Sequence, residues 1–415
     1  MKTIALVSGG SLPVPAVRGG AIETLLTLLI EQNEIEKKVR FVIASKYDKE
    51  AEKESKNYQY TVIKYIKNDG ILEYLDRKFF WIFQRAIYKL FGSKICHGVF
   101  GTDFFYIRSY FKLNKFHPDY IVSEGGAYHR MEAFKSKYGR DRIYLHIHHE
   151  IHPDSKMNGI FGNIIAISDY VKQEYLKKSY LHTASYVVLN AVDQGKFLNK
   201  VSYEERIGLR ERLGFQKDDF VVMFCGRIIK EKGCLELLQA MNRIENEKIK
   251  LLFVGDMEKS VGSESEYVEE LRKEIGKLGI RICVTGYVDN DKLYQYYQSA
   301  DCMVVPSLCN EAAGLVEIEG ALSDCPIIAT RVGGIPEYAD EKDAMLIDVE
   351  LPLGQDCSEK FIHDLADGIK RMYASPAERE HMAARAKENA MIKFSKEKMY
   401  LDFIHVFECK SGVEL

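Results

Sequence analysis

Nine cysteines are scattered through the 415 residues without one C-x-x-C pair. The odd count and wide spacing argue against a disulfide framework or a zinc ribbon and fit a reducing cytoplasm. No apolar run is long enough to span a bilayer. The opening MKTIALVSGG breaks at its glycines too soon for a signal peptide and predicts a first strand with a glycine turn. Charge of one sign is also lacking. Lys and Arg total 58 against 61 Asp and Glu, a net charge of −3, so no overall field favours nucleic acid. Internal repeats and low-complexity tracts are absent. These absences leave a cytoplasmic globular protein.

What is present is an alternation of short apolar runs with helical patterns, which predicts mostly parallel sheets with crossover helices. The length suits two domains of about 200 residues each. Strands are expected at 4–7, 40–44, 60–63, 120–122, 143–145, 164–167 and 186–189. A polar break follows near 193–203. A second series is expected at 220–224, 251–254, 282–285, 302–305, 327–329 and 345–347, and helices at 359–373, 376–391 and 396–408 close the chain. The expected fold class is α/β: two doubly wound Rossmann-like domains, 1–195 and 196–395, facing across a cleft. Ligands of such sheets sit at the carboxyl ends of strands.

The most informative stretch is NEAAGLVEIE, residues 310–319. A strand ending at Pro306 delivers Glu311 to a loop. Gly314 and Leu315 begin a helix that carries Glu319 away. A helix start offers free N–H groups and the positive end of a dipole, a phosphate site with an acid on each side. Carboxylates accept hydrogen bonds from sugar hydroxyls, so the spacing suggests a sugar nucleotide. Glu317 is about 200° around the helix from Glu319 and points elsewhere.

Other motifs are weaker alone. GRIIKEKG (226–233) follows a strand and sets Arg227 and Lys232 on a loop suited to anions; it is not a P-loop, because no Gly-Lys-Ser/Thr ends it. The turn Gly286-Tyr287-Val288 can frame a base, or be a plain turn. Asp289-Asn290-Asp291 has the D-x-D form of a metal–diphosphate motif, but capping of the helix that follows explains it better. Gly19 and Gly20 open the first long helix and allow close backbone approach to a ligand, or simply a flexible turn. His146-Ile147-His148-His149 ends a strand, with His146 and His148 on one face. A His-x-His can bind metal, but the sequence offers no companion acid cluster at ligand spacing. Residues 74–91 mix aromatics with Arg77, Lys78, Arg85 and Lys89. A helix packed on the first domain is favoured there over an amphipathic membrane-surface helix.

In their order along the chain, PAVRGGAIE (15–23), IAISDY (165–170), VVLNAVD (187–193), GRIIKEKG (226–233), FVGD (253–256), TGYV (285–288) and PSLCNEAAGLVEIEGALSDCPIIATRVGGIPE (306–337) resemble the retaining family-4 glycosyltransferases of the GT-B fold. The opening also resembles bacterial surface-polysaccharide enzymes. The resemblance implies transfer of a hexose from a nucleoside diphosphate to a saccharide or lipid-linked acceptor, with configuration retained and no metal or other cofactor. By that resemblance Glu311 contacts donor hydroxyls and Glu319 the ribose. Backbone near Ala313, Gly314 and Leu315 meets the distal phosphate. Arg227 and Lys232, on the loop opened by Gly226, grip the diphosphate. Tyr287 or Val288 frames the base, Gly19 and Gly20 approach the phosphate from the first domain, and residues 396–415 pack back on that domain. His148 matches the histidine near the anomeric carbon, with His146 and His149 as alternatives. Family members commonly carry an aromatic where Ala313 stands. Two other classes stay open: a sugar-nucleotide epimerase of similar fold, and a metal-dependent hydrolase using the 146–149 histidines. Donor sugar, base, acceptor and linkage are not legible. Peripheral membrane contact through 77–89 is a further expectation.

Overall fold

The computed structural model describes residues 1–67, 99–256, 266–352 and 355–408. The aromatic and basic stretch 74–91, with its expected membrane contact, lies outside the described residues.

Among the described residues, thirteen strands form two sheets. The first contains β1 (Thr3–Val7), β2 (Arg40–Lys46), β3 (Thr61–Ile66), β4 (Tyr120–Ser123), β5 (Ile143–Ile147), β6 (Asn163–Ala166) and β7 (Ala184–Val187), in the order β3-β2-β1-β4-β5-β6-β7. The second contains β8 (Phe220–Cys225), β9 (Ile249–Val254), β10 (Ile282–Val284), β11 (Cys302–Val305), β12 (Ile327–Thr330) and β13 (Met345–Ile347), in the order β10-β9-β8-β11-β12-β13. All strand pairs are parallel. Strands covered by helices on both faces read as near-continuous apolar runs. In β9 all six residues are buried, as are the last four of β1. Both sheets have the doubly wound order, which reverses between β1 and β4 in one and between β8 and β11 in the other. Those reversals fix where ligand crevices form.

The chain divides into two compact units, Met1–Leu189 with Met399–Leu415, and Asn190–Lys398. The last helix, Lys396–His405, therefore ends in the first unit's core. Tyr400 and Phe403 are fully buried there. The Tyr400 hydroxyl donates to Asn33 Oδ1 at 2.7 Å, and Phe403 meets Phe41 edge-on, ring centres 6.3 Å apart. Lys2 Nζ donates to the Phe407 carbonyl at 2.6 Å.

Strand boundaries differ modestly from expectation. The seventh strand runs 184–187 rather than 186–189, since β6, its pairing partner, ends at Ala166. The expected cap at Asp289 is not made. A 3-10 turn, Asn290–Lys292, intervenes before the helix Leu293–Ser299, and Asp291 pairs instead with Lys196 at 2.6 Å.

Candidate functional site

In the second unit, the loops after β8 and β11 border the point where the strand order reverses. A glycine brings them together. Gly233 is left-handed at φ 66°, and a Cβ there would lie 1.9 Å from the Pro306 carbonyl oxygen. The Leu308 N–H donates to the Glu231 carbonyl at 2.8 Å. This contact delivers Lys232 to Glu311: its ammonium donates to Glu311 Oε1, which also accepts from Ser307 Oγ at 2.6 Å. Ser307 is held in turn, its carbonyl accepting from Thr330 Oγ1 at 2.9 Å. From the other side Gly333, at φ 55°, permits the Gly334 N–H to reach the Glu311 carbonyl at 2.7 Å. The pair is largely shielded, with 24% and 17% of the two side chains exposed. Burial first, then Glu311, raises the neighbouring Cys309 thiol.

The helix Leu315–Leu322 starts on Gly314 with no side-chain cap, leaving its first N–H groups to other partners. Glu319 sits one turn in. Its Oε2 accepts from the buried Tyr297 hydroxyl at 2.8 Å. Burial raises the Glu319 carboxyl to about 7 despite that bond. Glu317 folds back over Gly314, where an added Cβ would lie 2.5 Å from its Oε2. Arg227 is exposed on the loop after Gly226, which adopts φ 149°. The chain at 255 bridges to 286. Beyond that turn Tyr287 is exposed and Val288 half-buried. Ala313 and Leu315 are half-buried beside Gly314. The fold thus gathers Lys232, Glu311, Ser307 and the helix start at the carboxyl ends of β8 and β11. A cavity of about 450 Å³ lined by Arg206, Asp301 and Pro326 is elsewhere: Asp301 and Pro326 precede β11 and β12, at the amino ends.

The first unit has a second polar cluster at its own strand reversal. Glu124 directly follows β4, its N–H bonding the Val7 carbonyl at 2.9 Å. Its Oε2 is 2.8 Å from His146 Nδ1 and 3.1 Å from His148 Nε2, both from the end of β5. Glu124 is wholly buried and the His148 side chain is 8% exposed. Burial alone would raise the Glu124 carboxyl, but the two imidazoles hold it down to about 2. Burial first, and His146 second, lower His148 to about 4. The ligand atoms of these three residues lie within 4.8 Å of one another, which fits a metal by number and type. A metal-bound imidazole normally donates its other nitrogen to a further acceptor. Here His146 Nε2 and His148 Nδ1 are buried without a partner among the described residues. The arrangement therefore favours a closed hydrogen-bonded trio over a metal centre. Gly19 is exposed with open space around it, and Gly20 starts the helix Ala21–Glu36 at φ 102°.

Sequence reasoning missed Glu124, contrary to the expectation of no companion acid for the histidines. The available signal was an acid directly after an apolar strand, followed by Gly125 and Gly126. It also missed Ser307 and Tyr297, and treated Lys232 and Glu311 as separate contacts rather than an ion pair.

Residues 205–389 match the family described as glycosyl transferases group 1. A lipopolysaccharide 1,2-N-acetylglucosaminetransferase of Salmonella typhimurium is 26% identical over 61% of this chain and 68% of its own length. A lipopolysaccharide core biosynthesis glycosyltransferase of Rhizobium meliloti is 33% identical over 46% and 50%. An uncharacterized glycosyltransferase of Methanocaldococcus jannaschii is 27% identical over 54% and 53%. The chain thus spans about half the length of two of these relatives. Among solved structures, Anabaena HepE in complex with UDP superposes with a TM-score of 0.69 at 18% identity, covering 98% of this chain and all of that one. A glycosyltransferase from Rickettsia africae reaches 0.71 at 17% identity, covering 98% of each. The fold is that of the GT-B proteins, and residues 205–389, most of the second unit, belong to the glycosyl transferases group 1 family.

Proposed function

We propose that this protein is a retaining glycosyltransferase that moves a hexose from a nucleoside-diphosphate sugar to a hydroxyl of a saccharide or glycolipid, in cell-surface polysaccharide synthesis. The observation that carries this is the Lys232–Glu311–Ser307 constellation beside an uncapped helix start, at the strand reversal of the group 1 domain. A departing diphosphate builds negative charge, and fixed cations and N–H groups in a shielded site stabilise it as it forms. Lys232 and Arg227 supply the cations. The N–H groups at 313–315 meet the distal phosphate. Glu311 accepts from donor hydroxyls and Glu319, steadied by Tyr297, from the ribose. Val288 or Tyr287 frames the base through backbone groups.

Among these residues no side chain is an evident covalent nucleophile. A same-face route is proposed: the bond from C1 to the diphosphate oxygen breaks, the bond from C1 to the acceptor oxygen forms, and the acceptor proton passes to the leaving phosphate. HepE's complexes with UDP and with UDP-glucose support a nucleoside-diphosphate sugar as donor, and the lipopolysaccharide relatives support a surface-glycan acceptor. No metal is required in this proposal. Exhaustive chelation is expected to leave donor turnover unchanged; loss of turnover with restoration by a divalent cation would contradict it. Screening sugar nucleotides by thermal stabilisation and donor hydrolysis tests the activity, since a bound ligand raises stability by mass action. One sugar nucleotide should stabilise and be turned over; stabilisation and turnover by none would reject the proposal.

A further inference from the structure

The carboxyl group of Glu317 is unexplained by the donor site as described. Glu317 is the third residue of the helix Leu315–Leu322 and only 1% exposed. Its carboxyl folds back onto the helix start. A Cβ on Gly314 would lie 2.5 Å from its Oε2, 2.7 Å from its Cδ and 3.1 Å from its Oε1. Among the described residues its buried Oε1 finds no hydrogen-bond partner. A buried unpartnered carboxyl oxygen is costly, and such groups call for a functional explanation.

We propose that Glu317 is a proton-linked occupant of the phosphate-binding helix start, so that a nucleoside diphosphate binds together with one proton taken up by this carboxyl. The proposal rests on the donor-site reading above. Ionised, the Glu317 carboxylate is itself an anion at the positive end of the helix and opposes a phosphate there. Protonated, it removes that repulsion and supplies an O–H donor.

The groups acting on Glu317 favour such a switch. Burial is the first influence and raises the carboxyl to about 7; a hydrogen bond from the residue's own backbone opposes it, Glu311 and Glu319 push upward, and Lys232 pushes down. Lys232 is engaged by Glu311. Tyr338, from the helix Ile335–Tyr338, faces it with its hydroxyl bonded to the Asn190 N–H. On elements packed against this helix, Tyr297 pairs with Glu319, Lys196 with Asp291, and Lys387 with Asp324. The first unit's Gly20 and Glu23 repeat the geometry, with a Cβ on Gly20 falling 2.2 Å from Glu23 Oε2.

The test is calorimetric binding of uridine, guanosine and adenosine diphosphates from pH 6 to 8.5, to the full chain and to Glu317→Gln. The ratio of the two affinities cancels the titration of the ligand itself. With Glu317 titrating near 7, wild-type affinity should fall by up to about 30-fold relative to Glu317→Gln across that range. Wild type should also take up close to one proton per ligand at pH 8, read from two buffers of different ionisation heat; that measurement stands if the variant does not fold. Parallel pH profiles, or binding without proton uptake, overturn the inference and leave the donor site intact. Absence of binding by all three diphosphates at every pH overturns both.

Discussion

Replacing Gly333 with alanine offers a quantitative test of how Glu311 is held. Gly333 adopts φ 55°, and its would-be Cβ lies 2.3 Å from the Glu311 carbonyl oxygen and 2.6 Å from the Glu311 nitrogen. Both are backbone atoms and cannot rotate aside, so the Glu311 segment must move by about 1 Å to reach ordinary contact. A matched control exists in the same unit: Gly279 has the same φ of 55° and nothing within 4 Å. Alanine at 279 should therefore report the left-handed strain alone, about 1–2 kcal/mol. Alanine at 333 should add the loss of the Gly334–Glu311 hydrogen bond, about 1 kcal/mol, and the cost of backbone displacement, for a total of about 3–4 kcal/mol. Displacing Glu311 by about 1 Å should also reduce donor turnover by about 100-fold. Urea denaturation gives the stabilities and sugar-nucleotide turnover gives the activity. Equal losses for Gly333→Ala and Gly279→Ala in both assays would refute the claim that this glycine sets the position of Glu311.

Further outcomes follow from the first unit. His148 is lowered to about 4 in the folded protein by burial, so the unfolded chain binds its proton first as pH falls. Its contribution is complete above about pH 6.5 and is lost toward pH 4, by at most about 3 kcal/mol; His148→Gln should flatten denaturation midpoints measured from pH 7.5 to 4.5, and an unchanged slope would contradict this. Tyr400→Phe removes a buried hydrogen bond of 2.7 Å to Asn33 and should destabilise the first unit by about 1 kcal/mol; unchanged stability would deny the last helix that role.

Much of the fold was legible because strands of a parallel sheet are buried on both faces and read as apolar runs. LLFV of β9 and CMVV of β11 are such runs, and every described strand lies within a few residues of its expected place. Helix and strand ends were less legible because they depend on partners: β7 stops where β6 does. Within the site, Glu311, Gly314 and Glu319 could be read together because one loop and one helix carry them. Contacts between distant segments had no such trace. Lys232 meets Glu311 across 79 positions, and Glu124 meets His146 across 22. Periodicity constrains which face a residue takes, not which loop it will meet. The backward fold of Glu317 was equally hidden, because helical phase fixed its direction but not its contact with Gly314.

The donor site stands or falls on the Lys232–Glu311 pair. The most direct measurement is turnover of the best-binding sugar nucleotide by wild type, Glu311→Gln and Lys232→Ala, with folding checked by circular dichroism. Wild type should turn over the donor, and each variant should lose at least about 100-fold in rate while remaining folded. Full turnover in both folded variants would contradict the assignment of this pair to the donor.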